Sequence, residues 1–217
     1  MFYIRRISQS QFIQGSLIIF LGTGLSNSLN LFYNIIMGRL LGPDKYGDLG
    51  TLLSLFILFS VPLGIFNLFL VKGVSNFYGK KDYRSIVGLK YYFTPRLFVL
   101  GIIISAVMIL LSPSLGHFLN FENWLPIALA ALLYILSGLV TLNRAILQGT
   151  LFFLYLSLNG VAEMIFKLVL STILVLANFG LTGALLGLII SSLAGYLLST
   201  VEINHILKVV KKENMPK

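Results

Sequence analysis

Two ionisable residues, Glu163 and Lys167, stand within the apolar run FLYLSLNGVAEMIFKLVLSTIL. They stand four positions apart, about one helical turn, so they can pair along a single helix. If that helix starts near Phe153, a rise of 1.5 Å per residue places Glu163 ~15 Å and Lys167 ~21 Å from its start. Both depths are close to the middle of a ~30 Å hydrocarbon core. A charge there costs ~2.5–3.5 kcal/mol on insertion scales, so it must be compensated. One reading is a structural pair in which each charge offsets the other. The other is that Lys167 contacts an anionic substrate while Glu163 tunes it or carries a coupling cation.

Polar residues recur at helical spacing elsewhere. Thr23, Asn27, Asn30 and Asn34 share one helical face, as do Ser137, Thr141, Arg144 and Gln148. Gly160, Glu163, Lys167 and Ser171 form a third stripe. One hydrated cavity shared by the three stripes would satisfy them all; hydrogen bonding between packed helices would also do so. The candidate substrate-binding residues are Lys167, Glu163, Arg144, Asn27, Asn30 and Asn34. Gly183, Gly187, Ser191, Gly195 and Ser199 repeat every four residues and suit close helix packing. Arg39 reads as an interfacial anchor.

Other chemistries are missing their residues. The sequence has no cysteine, which excludes disulfides, thiolate metal sites and cysteine nucleophiles. Its two histidines, His117 and His205, have no second ligand at metal spacing. No P-loop, zinc motif or G-x-S-x-G is present, and no nucleophile–base pair lies within one span, so neither an enzyme nor a cofactor is expected.

The elements that must position these residues follow from composition. Of 217 residues, 57% are hydrophobic and only 11% charged, too few charges to solvate a globule of this size. An all-α polytopic membrane protein is expected, with six spans at about 12–36, 49–71, 91–111, 124–148, 153–177 and 181–206. Gly42-Pro43, Ser112-Pro113 and Asn178-Phe179-Gly180 supply outer breaks. The first span is too long for a cleaved leader and has no A-x-A-like site.

The net charge of +9 comes from short segments between apolar runs. With the N-terminus inside, inner segments hold 13 basic residues and outer ones only Arg39 and Lys45. That asymmetry predicts N-in and C-in, and an even number of spans. It also makes nucleic acid an unneeded partner. The inner loop 72–90, with Lys80, Lys81 and Arg84, reads as topogenic and in contact with anionic lipid heads.

Three segments carry a resemblance. Arg39-Leu40-Leu41-Gly42-Pro43-Asp44-Lys45-Tyr46-Gly47 resembles the R-x-LGP-x-x-YG segment that follows the first helix of bacterial polysaccharide-biosynthesis flippases. These are the Wzx-type members of the multidrug/oligosaccharidyl-lipid/polysaccharide exporter superfamily. Asn143-Arg144-Ala145-Ile146-Leu147-Gln148-Gly149 is similar to the segment closing their fourth helix, and Phe179-Gly180-Leu181-Thr182-Gly183-Ala184 to the run opening their sixth. The resemblance implies that the chain flips a polyprenyl-diphosphate-linked oligosaccharide across the cytoplasmic membrane. It also implies a cationic cavity, to which Lys167 and Arg144 would contribute. The family has a double six-helix design, so this chain is expected to be one lobe, its N-terminal half. A second lobe would come from a homodimer or from a separate C-terminal half. Two alternatives stand beside that reading: a non-transporting assembly subunit or inactive remnant, and a cation-coupled exporter of small molecules.

Overall fold

The computed structural model describes residues 9–119, 121 and 124–213, with side chains for 14–119, 121 and 124–205. Arg5, Arg6, Lys217 and the side chains of Lys208, Lys211 and Lys212, which support the expected orientation, lie outside the described residues. All regular structure among the described residues is helical: α1 (Gln9–Gly79), α2 (Tyr83–Phe118), α3 (Leu125–Gly149), α4 (Phe153–Leu174), a π-helical turn (Val175–Phe179) and α5 (Gly180–Glu213). Four stretches are long and apolar enough to cross a membrane: Gln14–Gly79, Tyr83–Phe118, Leu125–Gly149 and Phe153–His205. The chain is a multi-pass membrane protein, and its helices imply a lipid environment.

Two of those stretches are broken. In α1, Gly42 leaves helical geometry at φ 76° and ψ 173°, where Pro43 follows it. Only glycine adopts such a φ without a Cβ penalty. The break leaves two arms, 9–41 and 43–79. The second interruption comes at Ala177, Asn178 (φ 66°) and Gly180 (φ 54°).

Side-chain contacts give the running directions. Along the first arm, Ile18 O accepts from Ser157 Oγ at 3.2 Å and Asn30 Oδ1 accepts from Lys167 Nζ at 2.9 Å, so this arm runs parallel to α4. The second arm runs parallel to α3: the Tyr134 hydroxyl donates to Leu55 O at 3.1 Å, and Gly149 packs on Val71 and Val74. Against α3, α2 is antiparallel, with Ser105 Oγ donating to Ala131 O at 2.6 Å and Leu97 packed on Gly138. Against α4, α5 is antiparallel: Ser171 Oγ donates to Ala184 O at 3.2 Å and Asn159 Nδ2 to Gly195 O at 2.8 Å. The chain therefore reverses at Gly42 and again at Asn178. Both corners line a cavity of about 580 Å³ with Phe121 and Pro126, so three connections meet at one end of the bundle.

Of the apolar clusters that hold the bundle, two are large. One lies toward that end and includes Met37, Leu49, Leu52, Ile127 and Leu185. The other lies toward the opposite end and includes Leu70, Val74, Ile86, Leu142, Ile146 and Ile203. Gly187 and Gly195 of the small-residue stripe of α5 face α4: a Cβ on Gly187 would stand 2.6 Å from Ser171 N and 2.7 Å from its Cα.

Two boundaries differ from expectation. Ser112-Pro113 does not end its helix; α2 continues to Phe118. Proline denies the carbonyl four residues back its usual donor. Here that carbonyl, Ile109 O, accepts from Ser112 Oγ at 2.7 Å, which replaces the lost bond. The basic loop 72–90 shrinks to a short corner, since helix runs to Gly79 and resumes at Tyr83. Lys81 supplies a positive φ of 58°, and Asp82 caps α2 by accepting from Ser85 N at 3.1 Å and Ser85 Oγ at 2.6 Å. Those two donors hold the Asp82 carboxyl below the usual carboxylate range. Charge density marked the end of the apolar stretch, but helix continues past it because its bonds form in water as well.

Candidate functional site

Between the two apolar clusters runs a belt of polar side chains. Its spine is α4, whose buried residues are Asn159, Glu163, Lys167 and Ser171. They follow one another at four-residue intervals, which aligns them down a single face.

Glu163 does not pair with Lys167. Its Oε2 forms an ion pair with Arg144 Nη2 from α3, and its Oε1 accepts from Ser192 Oγ of α5 at 3.1 Å. Arg144 also donates from Nε and Nη2 to Asn159 Oδ1, at 3.1 and 3.0 Å. Asn159 passes the network on through Nδ2 to Gly195 O. A Cβ on Gly195 would stand 3.1 Å from Glu163 Oε2, so that glycine makes room for the carboxylate. The forked guanidinium bridges a carboxylate and an amide at once, while the Lys167 ammonium is directed to Asn30 on the first arm. This geometry displaces the intrahelical pair that spacing suggested.

Lys167 has different surroundings. Its Nζ donates to Asn30 Oδ1 and lies 4.0 Å from the centre of the Tyr33 ring. These are neutral partners: an amide oxygen and a π face.

Of the remaining candidates, Asn30 enters the belt, whereas Asn34 donates from Nδ2 back to Asn30 O at 2.9 Å and is half-buried. Asn27 is exposed. The α3 stripe does face open space. Ser137, Thr141, Arg144 and Gln148 line a groove of about 380 Å³ together with Ser60 and Asn67 of the second arm. Arg144 also borders a second groove, of about 250 Å³, with Thr23, Ser26, Ser157 and Gly160. Its side chain keeps 30% of its surface exposed, against 11% for Glu163. Arg144 is thus a cation that is anchored on its inner side and open on its outer side.

Sequence reasoning missed Asn159, Ser192, Ser60 and Asn67. For Asn159 a signal existed, since it stands four residues before Glu163. Ser60 and Asn67 are also one face apart, at seven residues. Asn143, next to Arg144, turns the other way and donates to Ser199 Oγ at 3.0 Å and Thr200 Oγ1 at 2.9 Å, fastening α3 to α5.

Comparison with known proteins sets this geometry in context. The family described as "Polysaccharide biosynthesis protein" matches residues 36–215. The chain belongs to the polysaccharide biosynthesis protein family. The Arg39–Gly47 segment and the charged belt residues Arg144, Glu163 and Lys167 lie inside that match. An uncharacterized membrane protein of Methanocaldococcus jannaschii is 29% identical over 185 residues, covering 83% of this chain and 42% of that protein. In fold, this family member is similar to an outward-facing multidrug resistance MATE family transporter of the MOP superfamily, with TM-score 0.80 and 14% identity over 96% of this chain and 50% of that one. A mutant MATE protein matches with TM-score 0.75 and 15% identity, over 96% and 49%. The chain spans about half the length of the relatives it matches.

Proposed function

We propose that the chain is one lobe of a transporter that flips a polyprenyl-diphosphate-linked oligosaccharide across the cytoplasmic membrane. The observation that carries this reading is Arg144: a guanidinium tied to Glu163 behind it and open to a polar groove in front. Such a group can engage a diphosphate oxygen through Nη1, which its bonds to Asn159 and Glu163 do not use. Lys167, held by neutral partners, is the second cation of the site. Asn30 orients it, and Asn27 and Asn34 extend the polar face of the first arm. The carboxylate of Glu163 is occupied by Arg144, which favours an anionic cargo over a cationic drug.

The topology in this proposal is six passages with both ends in the cytoplasm. Gly42 and Asn178–Gly180 divide the two longest apolar stretches, each far longer than the ~20 residues one crossing needs. The corners at Gly42 and Asn178 would face outward, and those at 80–82 and 150–152 inward, in keeping with Lys80 and Lys81 at the first of these inner corners. The substrate would bind between two such lobes, and one would rock against the other. The second lobe in this proposal would be a further copy of this chain or a C-terminal half.

Flipping of a fluorescent lipid-linked oligosaccharide in proteoliposomes tests the reading. Lys167→Ala is expected to abolish flipping at normal protein abundance, and Lys167→Arg to keep part of it, since charge remains while shape changes. Full activity of Lys167→Ala would remove Lys167 from the site. Mass measurement of the protein in nanodiscs checks the second lobe. A strictly monomeric species that flips its substrate would refute the two-lobe requirement, and a species that never flips would support the remnant or assembly-subunit alternative. Since the chain has no cysteine, single insertions report topology without background. Cysteine at Asp44 should react with an impermeant thiol reagent in intact cells and cysteine at Lys81 should not; the opposite pattern inverts the assignment.

A further inference from the structure

The outer face of α2 carries a groove of about 400 Å³ lined by Pro95, Arg96, Val99, Leu100 and Ile103. This groove is on the far side of α2 from its α3 seam, where Leu97, Gly101, Ser105 and Met108 are buried. Val99, Leu100 and Ile103 are exposed, as lipid-facing side chains are. Arg96 is the one charged group in this lining.

The guanidinium of Arg96 is fixed. Its carbon lies 3.4 Å from the centre of the Tyr92 ring, and Nη1 donates to Tyr92 O at 2.7 Å. It is turned back toward the start of α2 rather than along the apolar groove, the posture of an arginine that reaches for the membrane–water boundary. Stacking and one backbone bond still leave donors of its fork free for a phosphate. Tyr91 and Tyr92 are both exposed here, and such rings favour the headgroup level.

Charge selects the occupant. From Lys80 to Arg96 the chain holds Lys80, Lys81, Arg84, Lys90 and Arg96 against the single acid Asp82. Asp82 is committed to Ser85 as the cap of α2. A lipid with a net negative head is favoured at such an end over a zwitterionic one.

We propose that this face of α2 is a binding site for one anionic glycerophospholipid, with its phosphate on the stacked Arg96 and an acyl chain along Val99, Leu100 and Ile103. The site is separate from the belt and from any transported glycan, and it ties α2 to one leaflet of the bilayer.

The test uses the full chain in detergent, titrated with phosphatidylglycerol or phosphatidylcholine of the same acyl chains and read by native mass spectrometry. The first bound phosphatidylglycerol should be retained in preference to phosphatidylcholine. Arg96→Ala should weaken it about fivefold, the factor that one near-surface cation supplies at an anionic bilayer. Val99→Trp, which fills the groove and leaves every charge in place, should also lower retention of that first lipid. Arg84→Ala should have a smaller effect than Arg96→Ala. Equal retention of the two lipids would overturn the proposal. So would unchanged binding to well-folded Arg96→Ala or Val99→Trp protein. Equal losses from Arg84→Ala and Arg96→Ala would mean diffuse attraction to a basic end and would also overturn it.

Discussion

Helices α3 and α4 bury opposite kinds of surface. Among the residues α3 buries are Ile127, Leu133, Leu142, Ile146 and Leu147, and it turns a polar stripe toward the grooves. All four residues that α4 buries are polar, and it exposes Leu154, Leu158, Ile165, Phe166, Val169 and Ile173. In water the second pattern would be inside out. In lipid an exposed leucine costs nothing, so apolar burial does not fix how a helix is rotated. α3 is placed by close packing with neighbours on several sides. The rotation of α4 is set by its polar groups, which have no good alternative to facing inward.

If that contrast holds, the largest effect should come from breaking the bond between the two helices. Arg144→Ala leaves the Glu163 carboxylate without its cation, which should cost about 3 kcal/mol, as for other buried pairs that lose one partner. A lowered melting temperature in nanodiscs would report it. Arg144→Ala/Glu163→Gln should recover most of the loss, since no unpaired charge remains. A single variant as stable as the parent would mean that α4 does not depend on this contact.

The next effect concerns close approach. Gly187→Ala drives a methyl group into the Ser171 backbone and should destabilise by about 1–3 kcal/mol. Gly24, where an added methyl group would meet nothing within 4 Å, is the control. Gly24→Ala should not destabilise, and the lost glycine entropy should raise stability by about 0.5–1 kcal/mol. Equal melting of the two variants would show that the α4–α5 seam is loose.

The smallest effect lies in the corner joining α3 to α4. Leu151 there has φ 63°, and Phe152 N closes the corner by donating to Leu147 O at 3.0 Å. A left-handed leucine is strained by ~1–2 kcal/mol, and glycine returns part of that as chain entropy. Leu151→Gly should therefore stabilise by about 0.5 kcal/mol, visible as a small rise in melting temperature. A fall would mean that the leucine side chain itself holds the corner.

How far these features were legible depends on what set them. The break at Gly42-Pro43 was readable because it is local chemistry: a glycine that takes a positive φ before a proline. The faces of α3 and α4 were readable too, because periodicity fixes which residues share a side. The partner of Glu163 was not. Spacing offers only partners on the same helix, and Arg144 reaches across from another with a stronger, forked bond. Ser112-Pro113 misled for a related reason, since one hydroxyl restored what the proline removed. Asn27 shared a stripe with Asn30, yet only Asn30 meets Lys167; a stripe gives a direction, while a contact also needs the right height along the neighbouring helix.

The bond between Lys167 and Asn30 joins residues 137 positions apart in the chain. At ~5–20 residues per second of synthesis, the ribosome reaches Lys167 roughly 7–30 s after Asn30. Through that interval the first arm has left the ribosome without the partner its asparagine will eventually hold. Part of its polarity is met locally meanwhile: Asn34 folds back on Asn30 O, and Ser28 on Gly24 O. Such stopgap bonds let an early helix wait in the bilayer for a late one. Slowing translation between the two should lengthen the wait and expose more of the newborn chain to quality-control proteases.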